Sequence, residues 1–129
     1  MQTVLFAAVV LTLFSKAPQA AAMAKMPSGY DNDLPRAQVA KLEGWGQRSA
    51  AAHANAWEAL LVHAIGVLAV LASGVDSSLA PTLAWAWIGI RVLYTGMYVA
   101  GYGSLRSVVW AGGFGCSLGL MAIAAGWIG

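Results

Sequence analysis

Charge is what this chain has least of. Of its 129 residues, 9% are charged and 60% are hydrophobic. A soluble domain carries roughly 25% charged residues, so the composition excludes an ordinary water-facing globular domain. Cysteine occurs once, at Cys116, which excludes an intrachain disulfide and provides no metal-ligand cluster with either histidine. In its apolar, Gly-rich surroundings Cys116 reads as a packing residue. The two histidines, His53 and His63, are not at the three- or four-residue spacing of metal-binding pairs on one helix. Each reads as a local hydrogen-bonding or packing group. The net charge of +2 is small and gathered largely in one stretch, which excludes a nucleic-acid footprint. Internal repeats are absent, as is low complexity beyond alanine richness.

What is present in abundance is long apolar sequence. A membrane-spanning helix needs about 20 predominantly apolar residues, and four segments approach that length. The first covers about 1–20: an apolar run from Met1 to Ser15 that continues through Ala17–Ala24 if Lys16 snorkels. The others are about 50–73, 80–101 and 107–128. The expected fold class is therefore all-α: a single integral membrane four-helix bundle over residues 1–129, with short links making neighbouring spans antiparallel. The polar stretch 25–47 contains Pro27, Gly29, Asp31, Asp33 and Pro35 as breakers. Within it, Arg36–Leu42 has the pattern of a short interfacial helix, and Gly44 and Gly46 interrupt the chain before the second span. Small residues at Ala20, Ala21 and Ala22 resemble a signal cleavage site. No Lys or Arg precedes the first apolar run, however, so the positive n-region of a signal peptide is missing and a retained helix is expected.

Loop charge predicts orientation. Lys16, Lys25, Arg36, Lys41 and Arg48 fall in or beside the first connection, Arg106 in the third, and the second has only Asp76. Both termini are thus expected outside, with the 25–47 loop in the cytoplasm. Trp85, Trp87, Trp110 and Trp127 lie near span ends and read as interfacial anchors. Trp57 reads as lipid-facing, and Gly115-x-x-x-Gly119 as a small-residue contact motif.

Two ionisable groups lie within the spans, Glu58 and Arg91. Charges at that depth are costly and mark function by default. At about 100° per residue, Arg48, Ala51, Asn55 and Glu58 share a sector of roughly 80° on the second helix, as do Arg91, Tyr94, Tyr98 and Tyr102 on the third. Pairing Glu58 with Arg91 would offset much of their desolvation cost. The remaining donors would hold a polar, anionic ligand near the cytoplasmic end, where Arg48, Arg106 and Ser107 also lie. An arginine beside a bound thiol would favour its thiolate.

Arg48-x4-His53-x-Asn55-x2-Glu58, Arg91-x2-Tyr94-x3-Tyr98 and the Arg106-Ser107 pair, in that order on successive helices, resemble the MAPEG family, membrane-associated proteins in eicosanoid and glutathione metabolism. The four-span layout agrees over nearly the whole chain. The resemblance implies a homotrimer that binds glutathione between subunits near the cytoplasmic face. Asn55 and Glu58 would contact the glutathione backbone, Tyr94 and Tyr98 would line the site, Arg48 would belong to the binding set, and Arg91 would hold the polar network. Arg106 would stabilise the thiolate, with Ser107 beside it. Lys16 matches loosely an arginine that many members carry at the end of the first helix. Ala51 departs from the pattern, because glutathione-binding members typically have an arginine there. The short chain resembles bacterial members, implying a multi-pass protein of the bacterial inner membrane in contact with lipid and a lipophilic small-molecule substrate.

The leading expectation is a membrane glutathione transferase or peroxidase acting on lipophilic electrophiles or hydroperoxides. The alternative is a non-catalytic relative that binds a lipid or small anion, which Ala51 favours. A channel or transporter ranks last, since an ion pair explains the buried charges without a pathway.

Overall fold

The computed structural model describes residues 1–129 and contains helices and connecting turns only. Six helices form: α1 (Gln2–Phe14), α2 (Ala17–Ala24), α3 (Pro35–Val39), α4 (Gly44–Ser73), α5 (Leu79–Ala100) and α6 (Gly103–Ala124). The first two make one 23-residue span, so that with α4, α5 and α6 four segments are long and apolar enough to cross a membrane. The chain is an integral multi-pass membrane protein. The joint between α1 and α2 falls at Ser15–Lys16, just before Pro18, whose missing N–H cannot continue the helical ladder.

The spans are antiparallel. Val4 of α1, Val67 and Val70 of α4, Ala80 and Ala84 of α5, and Leu120 and Ile123 of α6 form one buried cluster. It gathers the start of α1, the end of α4, the start of α5 and the end of α6, so both termini lie at that end. A second cluster of Ala8, Leu60, Trp87 and Cys116 fills the middle. The chemistry-bearing residues are left at the other end, under the 25–43 connection.

Close approach at the centre depends on Gly66. A Cβ there would stand 2.9 Å from the Ser117 carbonyl oxygen and 3.1 Å from Leu120 Cβ, so α4 and α6 touch through bare backbone. The expected Gly115–Gly119 motif divides. Gly119 packs against Leu83, whereas Gly115 faces open space and makes no contact within the bundle.

The second span begins earlier than its hydropathy indicates. Gly44 and Gly46, read as interruptions, start α4: Gly44 enters it at a left-handed φ of 56°. A Cβ on Gly46 would lie 3.0 Å from Ala22 Cβ and 3.3 Å from Leu42 Cδ2. The glycine serves a tight contact between α4, α2 and the loop. The interfacial helix is shorter than expected, at Pro35–Val39. Its entry is fixed by Asp31, whose Oδ1 accepts from the backbone N–H groups of Asp33 and Leu34, both at 2.9 Å. Buried Gln38 anchors the loop, donating to the Gly29 carbonyl at 2.6 Å and accepting from the Asp31 N–H at 2.9 Å.

Candidate functional site

Helical spacing on α4 and α5 brings their polar faces together. Arg91 is 4% exposed. Its Nη2 donates to Asn55 Oδ1 at 3.0 Å, and Asn55 Nδ2 donates to Glu58 Oε2 at 3.1 Å. The expected Glu58–Arg91 pair is therefore relayed through an amide. Asn55 can do this because its side chain both accepts and donates. Buried charge needs such partners more than it needs a direct opposite charge.

Arg91 also lies over the Tyr94 ring, 4.1 Å from its centroid. Tyr94 meets Tyr98 edge to face at 5.6 Å, with an interplanar angle of 84°. The Arg106 guanidinium then covers the Tyr98 ring at 4.0 Å. Glu58, Asn55, Arg91, Tyr94, Tyr98 and Arg106 thus form one continuous column across three helices. Each cation–ring contact contributes about 0.5–2 kcal/mol depending on its desolvation, and together they hold both guanidinium groups in set positions. The α5–α6 link makes the final contact possible: only Gly101, at a φ of 92°, and Tyr102 separate the two helices.

The other two expected site residues are placed differently. Arg48 donates from Nε to the Val99 carbonyl at 3.0 Å and packs against Gly101, satisfying one of the last carbonyls of α5. The exposed Ser107 turns its hydroxyl back to the Gly103 carbonyl at 3.2 Å.

Beside the column lies a cleft of about 110 Å³ between α4, α5 and α6. Asn55, Glu58 and Arg91 form its polar side, and Trp87, Trp110 and Phe114 its aromatic side. Trp110 and Phe114 stack at 5.2 Å, nearly parallel. Trp87, expected to be an interfacial anchor, is instead 2% exposed and stacks on His63 at 4.0 Å. It lies in the core because it falls one helical turn before Arg91 on the same inward face. The aromatic side was not anticipated, although Trp110, Phe114 and Ser117 follow one another at helical steps of four and three.

Both histidines have the local roles their sequence contexts suggest. His53 Nδ1 lies 2.8 Å from Ser15 Oγ, and its Nε2 accepts from Trp57 Nε1 at 3.3 Å. His63 lies 3.5 Å from Ser117 Oγ, and its Nε2 has no partner. Cys116 is buried and unpaired.

Four antiparallel spans around a buried arginine–tyrosine column define a helical membrane protein with a polar site toward one end of the bundle. The chain belongs to the MAPEG family, whose family model matches residues 1–126. Membership supports a membrane function of the glutathione-related transferase or peroxidase type at the level of the family. No curated protein and no solved structure matches the chain.

Proposed function

We propose that the protein is a glutathione-dependent membrane transferase or peroxidase acting on lipophilic electrophiles or hydroperoxides that enter from the bilayer. The observation that supports this reading is the column itself, which fixes two guanidinium groups and one carboxylate on neighbouring helices. Glutathione presents two carboxylates, an ammonium and a thiol, and this donor set fits them. Arg91 retains guanidinium donors beyond the one given to Asn55. Exposed Glu58 is available to an ammonium. Arg106, half-buried on the Tyr98 ring, offers a positioned cation.

When bound, glutathione supplies the thiol nucleophile. Arg106 would hold that sulfur as its thiolate, since a fixed neighbouring cation lowers a thiol's pKa. Asn55, Glu58 and Arg91 would orient the peptide backbone, with Tyr94 and Tyr98 as walls and Ser107 beside the sulfur. We place both termini outside and the 25–43 connection in the cytoplasm of a bacterial inner membrane, in a homotrimer whose subunits share each site.

Arg106→Ala in purified, detergent-solubilised protein tests the reading. A saturable ultraviolet thiolate signal on glutathione titration, abolished by the substitution without loss of helicity, is the expected result. An unchanged signal would remove Arg106 from the mechanism. A second reading, a non-catalytic relative that binds a lipid or small anion, draws on Ala51 and on Arg48, whose Nε is committed to the Val99 carbonyl. Absence of any signal at millimolar glutathione would favour it.

A further inference from the structure

The inner end of the aromatic cleft holds a buried polar pair that the proposed reaction does not use. Ser117 lines the cleft and is 1% exposed, and His63 beside it is fully buried. The Ser117 carbonyl packs on Gly66, about three turns past Asn55 on α4. The pair therefore stands at the opposite end of the cleft from Asn55, Glu58 and Arg91.

Neither member of the pair is satisfied within the bundle. Ser117 Oγ donates to the Gly113 carbonyl at 3.4 Å and lies 3.5 Å from His63 Nδ1, both beyond ordinary hydrogen-bond lengths. His63 Nε2 has no partner. Buried polar groups left short in this way cost stability and call for an explanation. The placement of the imidazole proton decides what would complete them. On Nε2 it would leave a buried N–H without an acceptor, the rarer deficiency in folded proteins. On Nδ1 it is donated to Ser117 Oγ, and the Ser117 proton goes to Gly113. One lone pair of Ser117 Oγ is then left as an acceptor for the cleft. Stacking on Trp87, at 4.0 Å and an interplanar angle of 6°, holds the His63 ring in place.

We propose that the inner end of the cleft binds the hydroxyl of a lipophilic phenol, with Ser117 Oγ as its acceptor and His63 fixing that role. The ring of the ligand lies against Trp87, Trp110 and Phe114, which offer faces and edges for aromatic contact. Size agrees with a single ring. A closed cavity of about 150 Å³ takes benzene, and this cleft of about 110 Å³ is bordered by exposed Trp110 and Phe114. Charge agrees as well, because the residues at the inner end carry none and a neutral hydroxyl needs none. The inference names the class of lipophilic substrate for the proposed reaction and rests on that reading for its catalytic meaning; the binding itself does not require glutathione.

Titration of para-butylphenol, para-butylanisole and butylbenzene into the full chain in detergent, without glutathione, tests the proposal. Tryptophan fluorescence reports binding, with free ligand corrected for partition into micelles. The phenol should bind saturably and about tenfold more tightly than the other two, the worth of one good hydrogen bond. Ser117→Ala should bring all three ligands to the same affinity. His63→Phe keeps a ring on Trp87 but frees the Ser117 proton to turn into the cleft, so the phenol should keep no more than about a threefold lead over the anisole. The comparison on the unaltered protein stands even if a variant fails to fold. Equal affinity for the three ligands, or a phenol preference that survives Ser117→Ala, would overturn the proposal. A glutathione thiolate signal beside equal affinities would leave the reaction standing and remove only this site. A phenol preference without that signal would do the reverse.

Discussion

Asn55 links the buried charge of Arg91 to the exposed carboxylate of Glu58. Its amide accepts from Arg91 and donates to Glu58, so truncation removes both links together. Asn55→Ala should lower stability by about 2 kcal/mol, the cost of leaving a buried charged donor without its acceptor. Glu58→Gln, at an exposed position that keeps an acceptor oxygen, should change it by less than about 0.5 kcal/mol. Thermal unfolding in detergent followed by circular dichroism would compare them, and equal losses would mean that the relay has no structural weight. Sequence spacing placed Asn55 with Glu58 on one helix face and Arg91 with Tyr94 and Tyr98 on another, because helical periodicity sets which residues share a face. It did not reveal the relay. Whether Glu58 reaches Arg91 directly depends on the distance between α4 and α5, which no local pattern encodes. Arg48 illustrates the same limit. Its place on the Asn55–Glu58 face was legible, but its capture by the Val99 carbonyl depends on where α5 ends.

Hydropathy located every spanning helix, while their ends were less legible because a helix need not stop where apolarity does. The fourth span starts at Gly103, four residues before the expected Ser107, and carries Arg106 within its first turn. α4 likewise extends back to Gly44 through polar residues. Glycine misled most, since its sequence signature is the same whether it breaks a helix or lets two helices touch. Gly66 and Gly115 separate the cases. Gly66→Ala forces a methyl group against the Ser117 carbonyl and Leu120 and should cost about 1–3 kcal/mol by overpacking. Gly115→Ala meets open space and should stabilise the isolated protomer slightly through helix propensity. The two unfolding midpoints, measured side by side, should move in opposite directions; a shared direction would contradict the α4–α6 contact.

The whole molecule is polarised along its length. One end is a dry cluster of valine, alanine, leucine and isoleucine, and the other holds the arginine–tyrosine column, the cleft and the basic loop. Basic residues crowd the same end as the site, so orientation in the bilayer settles which compartment supplies the ligand. In a Cys116→Ser background, Asp33→Cys should react with a membrane-impermeant thiol reagent only after the cells are opened, and Asp76→Cys in intact cells. The reverse pattern would place the site on the outer face. That the basic residues and the motif residues share one end of the bundle was legible in the sequence from the positions of the loop charges and the ordered motifs. The aromatic side of the cleft was hidden because tryptophan near a span end looks the same whether it faces lipid or the core.

The two links flanking α5 differ in what an engineer could ask of them. Gly74–Ser78 joins helices at the dry end and participates in no part of the column, so an epitope or fluorophore inserted there would report on the protein without disturbing its site. Gly101–Tyr102 acts as a ruler. It sets the offset between the ring of Tyr98 and the guanidinium of Arg106, and even one added residue would rotate α6 by about 100° and turn that cation away.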